Sequence, residues 1–177
     1  MSDKHKCFIS YHEADRDEVE TLIEDSEDAF IDKIVGAFDY EPVASEDEEY
    51  IKRVIREDYL TDSTVTIVMV GKCTWARKFV DWEIASTLRN DEKNKRSGLM
   101  GITLPSVASD DSRRCPARLE ANRGKPGDDS KYARWYVYPS SVASLIDCIE
   151  DAYQARDDRA GVVDNSLALM TANKSCS

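Results

Sequence analysis

The chain has 177 residues, the length of one ordinary domain and enough to bury a real core. Its 24 Lys and Arg against 35 Asp and Glu leave a net charge of −11, which argues against nucleic acid and anionic lipid as partners. No apolar run reaches membrane-spanning length, the opening MSDKHKCFIS lacks a secretion-signal core, and the five cysteines are scattered with no C-x-x-C pair, so neither a zinc site nor a disulfide framework is indicated and a reducing cytoplasm is expected.

In chain order, Cys7 to Tyr11 (CFISY) reads as a first strand, followed by a polar loop holding His12 and Asp15, the latter read as a surface charge. Apolar residues from Phe30 to Val35 predict a helix over roughly Ser26 to Ala37, with Ser26 as its cap. Phe38 to Val43 suggests a small second strand, ended by Pro42. Ser45 and Glu48 form a capping-box pattern for a helix running to Leu60.

Thr64 to Val70 is β-branched and apolar throughout and closes at Gly71, the signature of a strand covered on both faces. A short loop with Lys72, Cys73, Trp75 and Arg77 leads into a helix whose Phe79, Val80, Ile84 and Leu88 recur at helical spacing. Glu83 lies in that helix between Trp82 and Ile84; Cys73 reads as a small buried residue. Gly98 to Leu104 is a further buried strand, and Ser106 to Lys131 is a long loop rich in Gly, Pro, Ser, Asp and Arg. Arg134 to Tyr138 is an aromatic strand, and Ser140 or Ser141 caps a helix to about Ala155. Residues 156–177 form a polar tail with a weak apolar patch, Leu167 to Met170, and room for a short helix.

This alternation predicts a single α/β domain over residues 1–155: a doubly wound, flavodoxin-like parallel sheet of about five strands with helices on both faces. Right-handed crossovers gather the strand-to-helix loops on one edge, so Ser10 to His12, Lys72 to Arg77 and the start of the Ser106 loop should meet. There is no Gly-x-Gly-x-x-Gly after the first strand and no P-loop, and the third strand ends on Val70-Gly71-Lys72 rather than on a receiver's aspartate. What remains is Ser10, His12, Trp75 or Trp82, and Glu83, rimmed by Lys72, Arg77 and Lys78. One carboxylate among hydroxyl and aromatic neighbours suits glycosidic chemistry, because it can stabilise or capture an oxocarbenium-like ribosyl cation. A leaving group that is already cationic, such as the nicotinamide of NAD+, needs no general acid, and aromatic rings could stack on it.

The segments CFISYHEAD and STVTIVMVGKCTWARKFVDWEIAST resemble the bacterial TIR-like domains, in particular the TIR-like proteins (ThsB) of Thoeris anti-phage defence. In that family an F-x-S-[FY]-H first strand precedes a T-V-T-x-V-[LM]-[IV]-G third strand, and an aromatic-V-x-[YW]-E-I helix carries the catalytic Glu. The resemblance covers roughly Cys7 to Leu104. It implies Glu83 as the catalytic residue, with Ser10, Tyr11 and His12 bordering the substrate; the residues themselves add Trp75, Arg77 and Trp82 as expected lining of the pocket. Phe79 stands where many TIR domains have Trp. The resemblance further implies NAD+ as substrate rather than cofactor and a cyclic, ADP-ribose-type product; no metal is expected. That nucleotide would activate an effector protein, with a phage-derived trigger and self-association as further expectations. Two alternatives stay open: a non-catalytic TIR-like protein-interaction module, and an enzyme similar to nucleoside deoxyribosyltransferases.

Overall fold

The computed structural model describes residues 3–34, 47–125 and 128–177. Five strands, β1 (Lys6–Ser10), β2 (Ile31–Ile34), β3 (Val65–Val70), β4 (Gly98–Thr103) and β5 (Arg134–Tyr136), form one parallel sheet in the order β2-β1-β3-β4-β5. The helices are α1 (Arg16–Asp25), α2 (Glu48–Val54), α3 (Lys78–Leu88), α4 (Ala117–Asn122) and α5 (Val142–Asp158). A π-helical stretch, Ile55–Leu60, extends α2. This is the flavodoxin-like, doubly wound single domain expected from the sequence.

Strand periodicity sorts the core into two layers. Cys7 and Ile9 of β1, Ile67 and Met69 of β3, and Met100 and Ile102 of β4 pack with Val19 and Leu22 of α1 and Leu145 and Ile149 of α5. On the other face, Val68, Val70 and Leu99 pack with Val80, Ile84 and Leu88 of α3 and Leu119 of α4. Phe8, Ile51, Ile55, Leu60 and Trp82 form a third cluster beside them. β3 and β4 are buried at every position, which is why both read as continuous apolar runs. Gly98 is a matter of close approach, since a Cβ there would run into the α5 backbone at Ala152.

Several expectations are corrected. The first helix is α1, and within the stretch read as a helix over 26–37 residues 31–34 form β2, while 35–37 lie outside the described residues. Phe30, Ile31 and Ile34 have spacing that fits a helix and a short strand equally well, and pairing with β1 decides for the strand. The strand expected over 38–43 and the Ser45 cap lie outside the described residues. Asp47 caps α2, accepting from the amides of Glu49 and Tyr50. The stretch read as one long loop contains α4. Ser141 is the cap of α5, in a reciprocal box with Ser144. Among the described residues, no helix is long and apolar enough to cross a membrane.

The largest departure lies in the tail. After the turn at Ala160–Val162, residues 163–177 form an extended strap across α3 and α4. Asn122 of α4 donates to the Asp164 carbonyl and accepts from the Asp164 amide. Asn165 donates to the Ala85 carbonyl, the Trp82 indole N–H donates to the Met170 carbonyl, and the Met170 amide donates to Asp81. The strap ends in a disulfide between Cys176 and Cys73, 103 positions apart in sequence. Cys73 is therefore half-buried and cross-linked rather than a small buried thiol, and the scattered cysteines do include one bridge. Their spacing carries no sign of it, because only the folded strap brings them together.

Candidate functional site at the β1 and β3 carboxyl ends

The sheet changes winding direction between β1 and β3, the position at which open α/β sheets hold ligands. Ser10 ends β1 and shares the parity of Phe8, so its side chain points to the α3 face. There its hydroxyl, fully buried, donates to Glu83 Oε2. Glu83 is only 2% exposed. The helix beneath it is pinned to the sheet: Thr87 Oγ1 donates to the Glu83 carbonyl at 2.8 Å and lies 2.8 Å from Thr66 Oγ1 of β3. A desolvated carboxylate held by a neutral hydroxyl on a rigid helix can act on a developing positive charge without first reorganising water.

His12 and Arg77 supply the polar flank. His12 is half-buried in the turn after β1, where its carbonyl accepts from the Asp15 amide at 2.8 Å. Burial, then the positive charge of Arg77, hold the imidazole below its ordinary pKa, while Glu13 opposes them weakly. Arg77 donates from Nη2 to the Lys174 carbonyl of the strap, and its buried Nε has no hydrogen-bond partner among the described residues. Trp75 is half-buried, with the Arg114 guanidinium stacked 3.5 Å from its ring centre. That contact brings the loop after β4 to the same rim.

Two expected lining residues face elsewhere. Tyr11 follows Ser10 by one position and so points to the opposite side of the sheet, into the α1/α5 layer, 3% exposed. Trp82 is 1% exposed beneath α2, edge-on to Phe79 at 5.4 Å between ring centres. Lys52 and Lys78 approach its ring, and its N–H is taken by the strap.

Asp15, read as a surface charge, is instead half-buried against the β3–α3 loop. Its carboxylate lies over Gly71, where any Cβ would collide with it. Thr74 Oγ1 accepts from the Gly71 amide at 2.8 Å and approaches Asp15 Oδ2 at 3.5 Å. Burial, with Glu18 nearby, raises the Asp15 pKa to about 6, against a small lowering by Thr74. A raised acid binds more protons folded than unfolded, so its contribution to stability is complete below the unfolded value of about 4 and is lost as pH rises through about 6. Asp15→Asn should therefore flatten the pH dependence of stability between about pH 4 and 6, as read by urea unfolding across that range. Wild-type and variant curves of equal slope there would refute this account of Asp15.

A cavity of about 550 Å³ opens at the β5 edge, between Trp135, Arg134 and Asp151, but none of the residues around Ser10 and Glu83 lines it. Its size alone does not make it the site, because the buried carboxylate, its hydroxyl partner and the switch point lie at the other location.

Residues 8–109, more than half of the chain, match the family described as Thoeris protein ThsB, TIR-like domain. The matched span runs from β1 through the turn after β4 and so includes Ser10, His12, Asp15, Arg77 and Glu83. No match was found among the curated proteins.

Proposed function

Because the chain belongs to the TIR-like domain family of the Thoeris protein ThsB, we propose that it cleaves the nicotinamide–ribose bond of NAD+ and releases a cyclic, ADP-ribose-type signal that activates an effector protein. The observation that carries this reading is the Ser10–Glu83 pair, a buried carboxylate at the switch point of the sheet. In this reading Ser10 orients Glu83, whose charge faces C1′ of the nicotinamide ribose. As the bond breaks, its electron pair neutralises the pyridinium nitrogen and the cation left on the ribose is stabilised or captured by Glu83. Water then gives ADP-ribose, or a nucleophile of the same nucleotide closes a ring. Arg77, a half-buried cation beside His12, suits a phosphate oxygen, and Trp75 a flat ring. Tyr11 and Trp82 support the site from the core. The setting is cytoplasmic, the trigger phage-derived, and self-association part of the active state.

The test is mass spectrometry of extracts from cells making the protein, with and without phage challenge. A phage-dependent ADP-ribose-type product, with NAD+ falling, is expected. Unchanged extracts after challenge by several phages would overturn catalysis. They would favour the second reading, a protein-association module, toward which the burial of Tyr11 and Trp82 points because it withdraws two rings from the pocket.

A further inference from the structure

The strap divides into two halves with different anchors. Residues 164–170 are held from below by Asn122, Arg118, Ala85, Trp82 and Asp81. Residues 171–175 are exposed, and among the described residues their hydrogen bonds go to the turn joining β3 to α3 and to the first residue of α3. The Lys174 amide donates to the Ala76 carbonyl at 2.9 Å, Arg77 donates to the Lys174 carbonyl at 3.2 Å, and the Lys78 amide donates to Asn173 Oδ1 at 2.9 Å.

The last of these bonds is an N-cap supplied from a distance. Arg77 occupies the cap position of α3 and offers no capping side chain, so the first amide of the helix that carries Glu83 is satisfied by the strap. The same segment fixes Arg77, whose charge acts on His12. The Cys73–Cys176 bridge closes the chain directly beyond these few exposed bonds. The other cysteines lie outside this arrangement: Cys7 is buried, and burial raises the pKa of Cys7, Cys115 and Cys148, which keeps them as thiols.

We propose that Cys73–Cys176 is a thiol–disulfide exchange site: oxidised, it braces the β3–α3 turn and caps α3, and reduced by a dithiol it releases the strap beyond Met170. Cys176 is half-buried between the exposed Ser175 and Ser177, and the exchange is written with attack at its sulfur. A thiolate of the dithiol bonds to Cys176 Sγ and displaces the Cys73 thiolate, which takes up a proton. The second thiol of the reductant then attacks its own mixed-disulfide sulfur and displaces the Cys176 thiolate, which is protonated in turn. Two electrons and two protons pass to the protein, and the dithiol leaves as a disulfide. Exchange with an oxidised dithiol reverses the sequence.

The brace is tested on the full chain without reference to turnover. Protein equilibrated with oxidised dithiothreitol is denatured, alkylated and peptide-mapped, and Cys73 and Cys176 should be protected while Cys7, Cys115 and Cys148 are labelled. Amide hydrogen exchange is then compared before and after reduction. Peptides covering residues 72–80 should exchange about tenfold faster when reduced, as expected for a lost helix cap, while those covering 142–158 stay unchanged. Cys176→Ser should behave as the reduced protein whether or not dithiothreitol is present. Free Cys73 and Cys176 thiols in the oxidised preparation, or exchange over 72–80 that ignores reduction, would overturn the proposal.

Discussion

Glu83→Gln is expected to lower NAD+ cleavage by at least about 10²–10³-fold, the scale on which a preorganised electrostatic group contributes. The change is close to isosteric. Ser10 can still donate to the amide oxygen, Thr87 still holds the backbone carbonyl of residue 83, and Ile84 still fills the layer under β3. Folding should be preserved and only the charge lost. The informative pair of measurements is therefore turnover and thermal unfolding on the same preparation. Turnover lost at unchanged unfolding temperature would assign the chemistry to the carboxylate. Turnover retained within a few-fold would dismiss Glu83 as the group that meets the ribosyl cation, and with it the proposed mechanism. Ser10→Ala should cost less, since it removes an orienting hydroxyl and leaves the charge in place.

The largest effect on stability is expected at Asp81. Its Oδ1 accepts from Arg118 Nε at 2.9 Å, and its Oδ2 accepts from Arg118 Nη2 at 3.3 Å and from the Met170 amide at 2.9 Å. Arg118 is 1% exposed and donates further to Asn165 Oδ1 and the Ala168 carbonyl. This ion pair joins α3, α4 and the strap. Asp81→Ala leaves the Arg118 guanidinium buried without its counter-charge, an error that costs about 3–5 kcal/mol. For a chain of this length that corresponds to roughly 6–20 °C in unfolding temperature. Asp81→Leu with Arg118→Met removes both charges and should recover much of the loss, because two apolar side chains need no pairing. An Asp81→Ala protein that unfolds within about 1 kcal/mol of wild type would mean that the strap and solvent satisfy Arg118 without the carboxylate.

What the sequence discloses depends on whether a contact is written in side-chain pattern. The β3–α3 segment was legible because burial on both faces forces an unbroken apolar strand and the helix after it repeats at 3.6 residues. The Ser141 cap was legible because a hydroxyl before an apolar-periodic run has a local purpose. The placement of Tyr11 was recoverable in principle: it is one position from Ser10, and strand parity sends it to the other face. Trp82, beside Glu83 in sequence, lies about 100° around the helix from it, which is enough to put it under α2. Nothing local announced the strap. Most of its bonds use backbone amides and carbonyls, which every residue possesses, and its partners lie 42 to 104 positions away. The Asp15 contact was hidden for a related reason, since its partner Gly71 contributes an absence of side chain rather than a pattern.

The strap also has a consequence for synthesis. It is translated after every element that it holds, so a nascent chain can pair β1 with β3 and seat α3 on the sheet while α3 still lacks its first hydrogen-bond acceptor. At about 5–20 residues per second, the ribosome needs roughly 1–3 s to add residues 163–177. During that interval the Trp82 indole and the Arg118 guanidinium wait for carbonyls that have not yet been made. The bracing of the candidate site is thus completed only after its central residues, Ser10 and Glu83, have been translated.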